Sequence, residues 1–256
     1  MSTHRIEHAS AEDFLRTLTD ASVDAIITDP PYGTNDGAGK RTARGGDTAA
    51  AFALEWDRVL PLDWLRDAAR ALRAGGACTV WTDCKRVGDV WAAGDAAGLK
   101  PRHTFYWAKV NPPPTPRPNF ASAVEAGVYF VKPGAVPTWN GGGWCRNVVE
   151  SVLAHNEHDG RTRHHPTQKP IKVMRWLVEI VTNEGDLVVD PFMGSGTTGV
   201  ACVQTGRRFA GCDIDEAHVE TARARVASWL ALGVEAAPVG APRAFTPQLD
   251  LFGAAS

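Results

Sequence analysis

The chain has little of what staples small secreted or metal-bound domains. Its 256 residues hold five cysteines, at positions 78, 84, 145, 202 and 212, and no two form a Cys-x-x-Cys pair. An odd, scattered set argues against a disulfide frame or a zinc site and predicts reduced thiols in a cytoplasm. No apolar run approaches the roughly 18 residues of a membrane span. The opening Met1–His8 lacks the apolar core of a signal peptide. The expectation is a cytoplasmic protein with no membrane association. Charge of either sign is also not in excess, the formal net being −2. What is present is ordinary for a globular chain, 44% hydrophobic and 22% charged. At this length a core can be large enough to need no covalent staple.

The near-zero sum conceals an uneven distribution. Residues 99–124 carry Lys100, Arg102, Lys109 and Arg117 with no acid, and 160–175 carry Arg161, Arg163, Lys169, Lys172 and Arg175, again with none. Acids gather in 184–220 instead, including Asp190, Asp213, Asp215 and Glu216. A basic region set against an acidic one permits a phosphate-tracking surface despite the neutral total.

Short apolar runs alternate with amphipathic ones. Strands are predicted at Val23–Thr28, Ala77–Thr82, Thr104–Ala108, Val124–Val131, Leu187–Asp190 and Phe209–Asp213. Helices are predicted at Leu62–Arg73, Val87–Ala97, Ile171–Thr182, Thr197–Gln204 and Glu216–Leu232, with Gly75-Gly76 stopping the first. Strands separated by helices imply an α/β fold, a mainly parallel sheet covered on both faces. Four segments break the rhythm. Gly33–Thr48 reads as a loop, and Asn111–Asn119 holds five prolines and no regular element. Pro133–His164 reads as a small inserted region. After Gly233 the chain turns to Ala, Pro and Gly, a loosely held tail. The organisation is therefore 1–132 and 165–233 as two halves of one domain, with 133–164 inserted and 234–256 appended.

Two motifs carry chemistry. Asp29-Pro30-Pro31-Tyr32 follows a strand directly, where open α/β sheets bind ligands. Two prolines stiffen the backbone and remove two amide donors, leaving a carboxylate and aimed carbonyls beside an aromatic ring. Such an acceptor set suits a flat ring bearing an amine. The second motif, Asp190-Pro191-Phe192-Met193-Gly194-Ser195-Gly196-Thr197-Thr198, follows a strand and opens a helix. Its glycines allow a tight turn, and the helix start offers free amides to an anionic group. It fits neither the full dinucleotide fingerprint nor a P-loop. Asp213 ends the next strand about twenty residues later, where an acid holds ribose hydroxyls in nucleotide folds.

Together these motifs resemble the S-adenosylmethionine-dependent amino-group DNA methyltransferases. Their order, with His165-Pro166-Thr167-Gln168-Lys169-Pro170 between them, is that of the β class. Trp107–Pro112 and Glu125–Lys132 also look like family segments, and the resemblance spans about residues 5–232. It implies a Rossmann-like methyltransferase mixed sheet with one antiparallel strand and helices on both faces. It implies S-adenosyl-L-methionine as cofactor, double-stranded DNA as partner and a flipped base as acceptor. Asp29, Pro30, Pro31 and Tyr32 would be catalytic. Ser10, Asp29, Lys169, Asp190, Phe192, Gly194, Ser195, Gly196, Thr197, Thr198 and Asp213 would hold the cofactor. Aspartate at the first motif position favours adenine N6 over cytosine N4. One departure stands out: where the family carries Gly-Asp ahead of the catalytic motif, this chain has Ala9-Ser10.

The remaining expectations concern DNA, a second partner and metals. Lys40, Arg41 and Arg44 would contact phosphates from a flap, with Lys109, Arg161 and Arg163 on the basic stretches. Arg146, Asn147 and Asn156 are further candidates for reaching base edges in the inserted region. Gln248-Leu249-Asp250-Leu251-Phe252 resembles the short peptide by which bacterial proteins bind the DNA polymerase sliding clamp, Gln248, Leu249, Leu251 and Phe252 being the anchors. A homodimer is compatible with this reading. No metal constellation is expected.

Overall fold

The structure, a computed structural model, describes residues 4–33, 60–112, 120–153 and 168–233. In chain order these form β1 (His4–His8), α1 (Ala11–Arg16), β2 (Val23–Thr28), α2 (Trp64–Ala71), β3 (Leu72–Thr82), α3 (Val87–Ala96), β4 (Lys100–Lys109), β5 (Val124–Val131), β6 (Val148–Ser151), α4 (Ile171–Val181), β7 (Leu187–Asp190), α5 (Thr197–Gln204), β8 (Arg208–Asp213) and α6 (Glu216–Ala231). The strands make one eight-stranded sheet in the order β1-β8-β7-β2-β3-β5-β4-β6. Only β5 runs against its neighbours, pairing antiparallel with β3 and β4; the other ladders are parallel. The fold is thus the Rossmann-like mixed sheet with one antiparallel strand.

Alternation along the central strands explains why both faces are covered. In β2, Ile26 faces one core with Phe14, Leu15, Trp64 and Leu65, while Ala25 and Ile27 face the other with Leu177, Val178 and Phe209; Val23, across a register shift, joins the first core. A strand buried on both sides must lie between helix layers. The first layer comes from α1–α3 and the second from α4–α6. The helical stripes match: Trp64, Leu65, Ala68 and Ala69 of α2 are buried, as are Val173, Met174, Leu177 and Val178 of α4. Each large buried side chain contributes about 1.5–3 kcal/mol. Truncating Ile26 or Leu65, both fully buried, would cost ~2–5 kcal/mol.

The structure corrects the punctuation at Gly75-Gly76. The helix already ends at Ala71, and the glycines lie inside β3, where the register against β2 jumps from Val23↔Leu72 to Ala25↔Ala77. Gly75, at φ 76°, makes a bulge instead of a stop and donates its amide to Lys132 O. Three elements had no sequence signal. β1 contains one strongly apolar residue, Ile6, and α1 is too short to show a period. The four-residue β6 lies within 133–164, yet it joins the main sheet as the edge beside β4.

Candidate active site

The site follows from topology. The chain leaves β2 towards β3 on one side and leaves β7 towards β8 on the other, so β2 and β7 flank the switch point of the sheet. Parallel sheets bind ligands in the crevice beyond the strand ends at that point. Both motifs lie there, Asp29–Tyr32 past β2 and Asp190–Thr198 from the end of β7. A buried bond joins them: Thr28 Oγ1 donates to Asp190 Oδ1 at 2.7 Å.

Asp29 is the head of a charged chain. Lys169 Nζ, just ahead of α4, donates to its Oδ2 at 2.7 Å, and the Tyr32 hydroxyl donates to Oδ1 at 2.6 Å. Lys169 also donates to Tyr32 Oη at 2.8 Å and lies 2.8 Å from Glu125 Oε2. Glu125 Oε1 lies 2.7 Å from Lys109 Nζ. The Lys169 side chain is only 5% exposed and that of Asp29 21%. Burial pushes the Asp29 carboxyl up, partly offset by the Lys169 ammonium. Burial would lower Lys169, but Asp29 and Glu125 reverse this and hold it protonated. Burial would likewise raise Glu125, yet the two lysines bring it down to about 2. The phenol of Tyr32 is pushed well up by burial and by both carboxylates. Each Asp29 oxygen has a second lone pair, so the carboxylate retains room for an incoming N–H.

The second motif is a built turn. Gly194 and Gly196 have φ of 50° and 80°, the left-handed region. They serve different neighbours. A Cβ on Gly196 would meet Ala222 Cβ of α6 at 2.8 Å, so this glycine allows helix packing; a Cβ on Gly194 would meet nothing within 4 Å. Asp213 Oδ2 accepts from Gly194 N at 3.0 Å, and Oδ1 accepts from Asp215 N at 2.9 Å. Asp190 is 2% exposed and turned inward, accepting from Thr28, from Thr198 Oγ1 at 2.5 Å and from Phe192 N at 3.1 Å. Its carboxyl is pushed up to about 7 by burial, against those donors. Asp190 and Thr198 therefore shape the turn from below. Phe192 packs edge-on against Trp64, with ring centroids 5.4 Å apart. Ser195 and Thr197 are buried, and Arg225 of α6 donates to Ser195 O at 2.6 Å and Ser195 Oγ at 3.0 Å. Ser10 caps α1 by accepting from Asp13 N, and Ala9 N donates to Asp213 O at 3.1 Å, bringing Ser10 to the same rim.

Two expectations change. Lys109 does not present its charge outward: its side chain is 9% exposed, paired with Glu125 and 5.3 Å from the Trp107 ring. The basic stretch that begins at Lys100 is not one stripe, because Lys100 and Arg102 start β4 and Lys109 ends it. Nine residues of strand put about 30 Å between those ends, with Lys100 on the far rim. Arg225, unmarked by any sequence motif, is part of the turn. Glu125, which no motif marked as functional, is central to the site. Its signal was a lone acid on an otherwise apolar strand, directly following an acid-free stretch.

Lys40, Arg41, Arg44, Asn156, Arg161 and Arg163 lie outside the described residues, as do Gln248, Leu249, Leu251 and Phe252. The residues flanking two of these segments, and those flanking 113–119, are informative. Gly33 follows β2, Pro112 follows β4, Phe120 precedes the antiparallel β5, Leu153 follows β6, and Gln168 adjoins Lys169. All five therefore stand at the catalytic rim. Asn147 is tied into the sheet, donating to Thr104 O at 3.0 Å, and Arg146 is exposed. Among the described residues no cluster of three potential metal ligands occurs, and no helix is long and apolar enough to cross a membrane. All five cysteines are free.

A Rossmann-like sheet with one reversed strand, carrying an acceptor motif and a glycine turn at its switch point, defines the methyltransferase class of α/β folds. The chain belongs to the N6/N4 DNA methylase family, whose model matches residues 23–224. It is 26% identical over 238 residues to the type II methyltransferase M2.DpnII of Streptococcus pneumoniae, covering 86% of this chain and 88% of that one. Among solved structures it resembles M1.HpyAVI in complex with SAM, at TM-score 0.67 and 26% identity, covering 87% of this chain and 99% of that one. It shares its fold with the cytosine-N4-specific PvuII DNA methyltransferase, at TM-score 0.67 and 18% identity, over 88% and 86% of the two chains.

Proposed function

We propose that this chain methylates the N6 amine of an adenine in DNA, with S-adenosyl-L-methionine as donor. The observation that carries the reading is the Asp29 carboxylate, anchored by Lys169 and Tyr32 beside the glycine turn. Residues at the turn suit the donor. Gly194 leaves open space for close approach, and Asp213 retains acceptor capacity for hydroxyls. Phe192 offers an apolar ring. Bound there, the donor supplies an electrophilic methyl on a sulfonium.

The chain's own residues do the rest. An adenine amine is a poor nucleophile because its lone pair is delocalised into the ring. Accepting its N–H at Asp29, together with the carbonyl of Pro30, favours a pyramidal nitrogen whose lone pair is free to attack. Positioning and fixed charges supply most of the acceleration. Asp29 then takes the proton that the nitrogen sheds. No thiol nucleophile is required, and no Pro-Cys dipeptide of the C5-cytosine kind occurs.

Double-stranded DNA would lie over the catalytic rim. The segments holding Lys40, Arg41, Arg44, Arg161 and Arg163 are flanked by rim residues, which supports phosphate contacts from them. Arg146, Asn147 and Asn156 remain candidates for base contacts. The target base would be flipped into the crevice, since its amine is inaccessible inside a duplex. A bacterial cytoplasm and a restriction–modification setting fit the similarity to a type II methyltransferase of Streptococcus pneumoniae. A second reading is N4-cytosine methylation, favoured by the fold shared with the PvuII enzyme and by the identical acceptor need of a cytosine amine.

The test is product analysis. DNA treated with the protein and a methyl-labelled donor is digested to nucleosides and separated by mass. The expected product is N6-methyl-2′-deoxyadenosine, absent with Asp29→Ala; N4-methyl-2′-deoxycytidine would select the second reading. Near-normal turnover by Asp29→Ala would overturn the acceptor role.

A further inference from the structure

We infer that Glu125 is a positioning residue of the transfer reaction, clamping Lys169 onto Asp29, and that Lys109 is the counter-charge keeping Glu125 ionised. The inference rests on the methyl-transfer reading of Asp29. Four charges run in alternating sign through the site: Asp29 Oδ2 to Lys169 Nζ at 2.7 Å, Lys169 Nζ to Glu125 Oε2 at 2.8 Å, Glu125 Oε1 to Lys109 Nζ at 2.7 Å. They come from four places, the end of β2, the approach to α4, β5 and the end of β4. Lys109 and Glu125 share a face across the β4–β5 ladder, because Trp107 is the direct partner of Glu125 and Lys109 lies two residues on. Buried ion arrays are a weak source of stability, so their placement is the informative feature. One end of this array is the acceptor carboxylate.

The consequence is control of protonation. Asp29 works as an acceptor only when ionised, and Lys169 holds it only when charged. The groups facing Glu125 are Lys169, Lys109, Asp29 and Tyr32, with Cys84 of the turn after β3 further out. Beyond Asp29 lies Asp190 of β7. Neutralising Glu125 leaves one surplus positive charge, which lowers the pKa of both Asp29 and Lys169. Neutralising Lys109 leaves one surplus negative charge, which raises both. Neutralising the pair restores balance.

The experiment is the pH dependence of kcat and KM for the wild type, Glu125→Gln, Lys109→Met and the double variant, using DNA and S-adenosylmethionine. Expected are profiles displaced to lower pH for Glu125→Gln and to higher pH for Lys109→Met, with the double variant near the wild type. Each displacement should be about one unit, an electrostatic difference of tenfold in the protonation equilibrium. The loss should fall on kcat more than on KM. In parallel, NMR titration of the Lys169 ammonium in the protein alone should show its pKa lowered by Glu125→Gln and raised by Lys109→Met. Displacements in one common direction, or none, would overturn the inference, as would an unmoved Lys169 titration. Failure of the methyl-transfer reading is distinct: wild-type protein would then leave DNA unmethylated at every pH, and the NMR arm alone would decide whether Glu125 governs Lys169. If Glu125→Gln fails to fold, the upward displacement expected of Lys109→Met carries the test.

Discussion

Thr28 and Asp190 are 162 positions apart in sequence and joined by a 2.7 Å hydrogen bond inside the sheet. The bond ties the strand that ends in the acceptor motif to the strand that opens the glycine turn. On the proposed reading, the relative placement of target amine and methyl donor passes through this buried hydroxyl–carboxyl contact. Thr28→Val should cost about 1–3 kcal/mol by leaving Asp190 one donor short. Thermal denaturation measures it.

Asp190 should make stability pH-dependent. Its folded pKa, about 7, lies above the unfolded value near 3.9, so the folded state binds the proton more tightly. The stability this contributes is complete below about pH 4 and is lost as pH rises through 7. A shift of three units corresponds to about 4 kcal/mol as an order of magnitude. Asp190→Asn cannot lose that proton, so its melting temperature should gain on the wild type between pH 5 and pH 8. A gap that does not change with pH would mean that Asp190 does not titrate in this window.

The two glycines of the turn should separate stability from binding. Gly196→Ala places a methyl 2.8 Å from Ala222 Cβ at φ 80°, and should destabilise the fold by ~2–5 kcal/mol from left-handed strain plus overpacking. Gly194→Ala meets open space at φ 50°, and should cost only ~1–2 kcal/mol of fold. Its methyl would instead obstruct the ligand's approach, and calorimetry with S-adenosylhomocysteine should show weakened binding. Equal melting temperatures for the two variants would contradict this division of roles.

DNA binding should depend on which rim carries the charge. Arg161→Gln and Arg163→Gln should each weaken binding and reduce the salt slope by about one, the signature of a lost phosphate contact. Arg102→Gln, at the start of β4 on the far rim, should leave both unchanged. Binding that is flat in salt, or equally sensitive at Arg102, would place the duplex elsewhere.

The tail is testable in isolation. A peptide spanning Gln248–Phe252 and its proline-rich approach should bind the bacterial sliding clamp with micromolar affinity, about −8 kcal/mol. Replacing Leu251 and Phe252 with alanine should remove that binding while leaving methylation of short oligonucleotides intact. A lowered melting temperature with no peptide binding would make the tail a packing element.

The sequence by itself determined the layers and which strand ends carry the two motifs. Apolar runs such as Val23–Thr28 and Leu187–Asp190 are buried on both faces, and helical stripes such as that of α4 repeat with a readable period. Turn chemistry at Asp29–Tyr32 and Gly194–Thr198 is local, so those motifs declare themselves. Edge elements did not. β1 and β6 are short and half-solvated, and their pairing energy comes from β8 and β4, not from their own pattern. Only the tertiary structure decided the ownership of charge. Lys109 looked like a surface cation because sequence gives no sign of which face of β4 it occupies relative to Glu125. The three internal donors of Asp190 and the packing of α6 against Gly196 were likewise beyond the reach of sequence. Hydrogen-bond partners more than a hundred residues apart, such as Lys169 and Asp29, are set by how the sheet closes, and no local window contains that information.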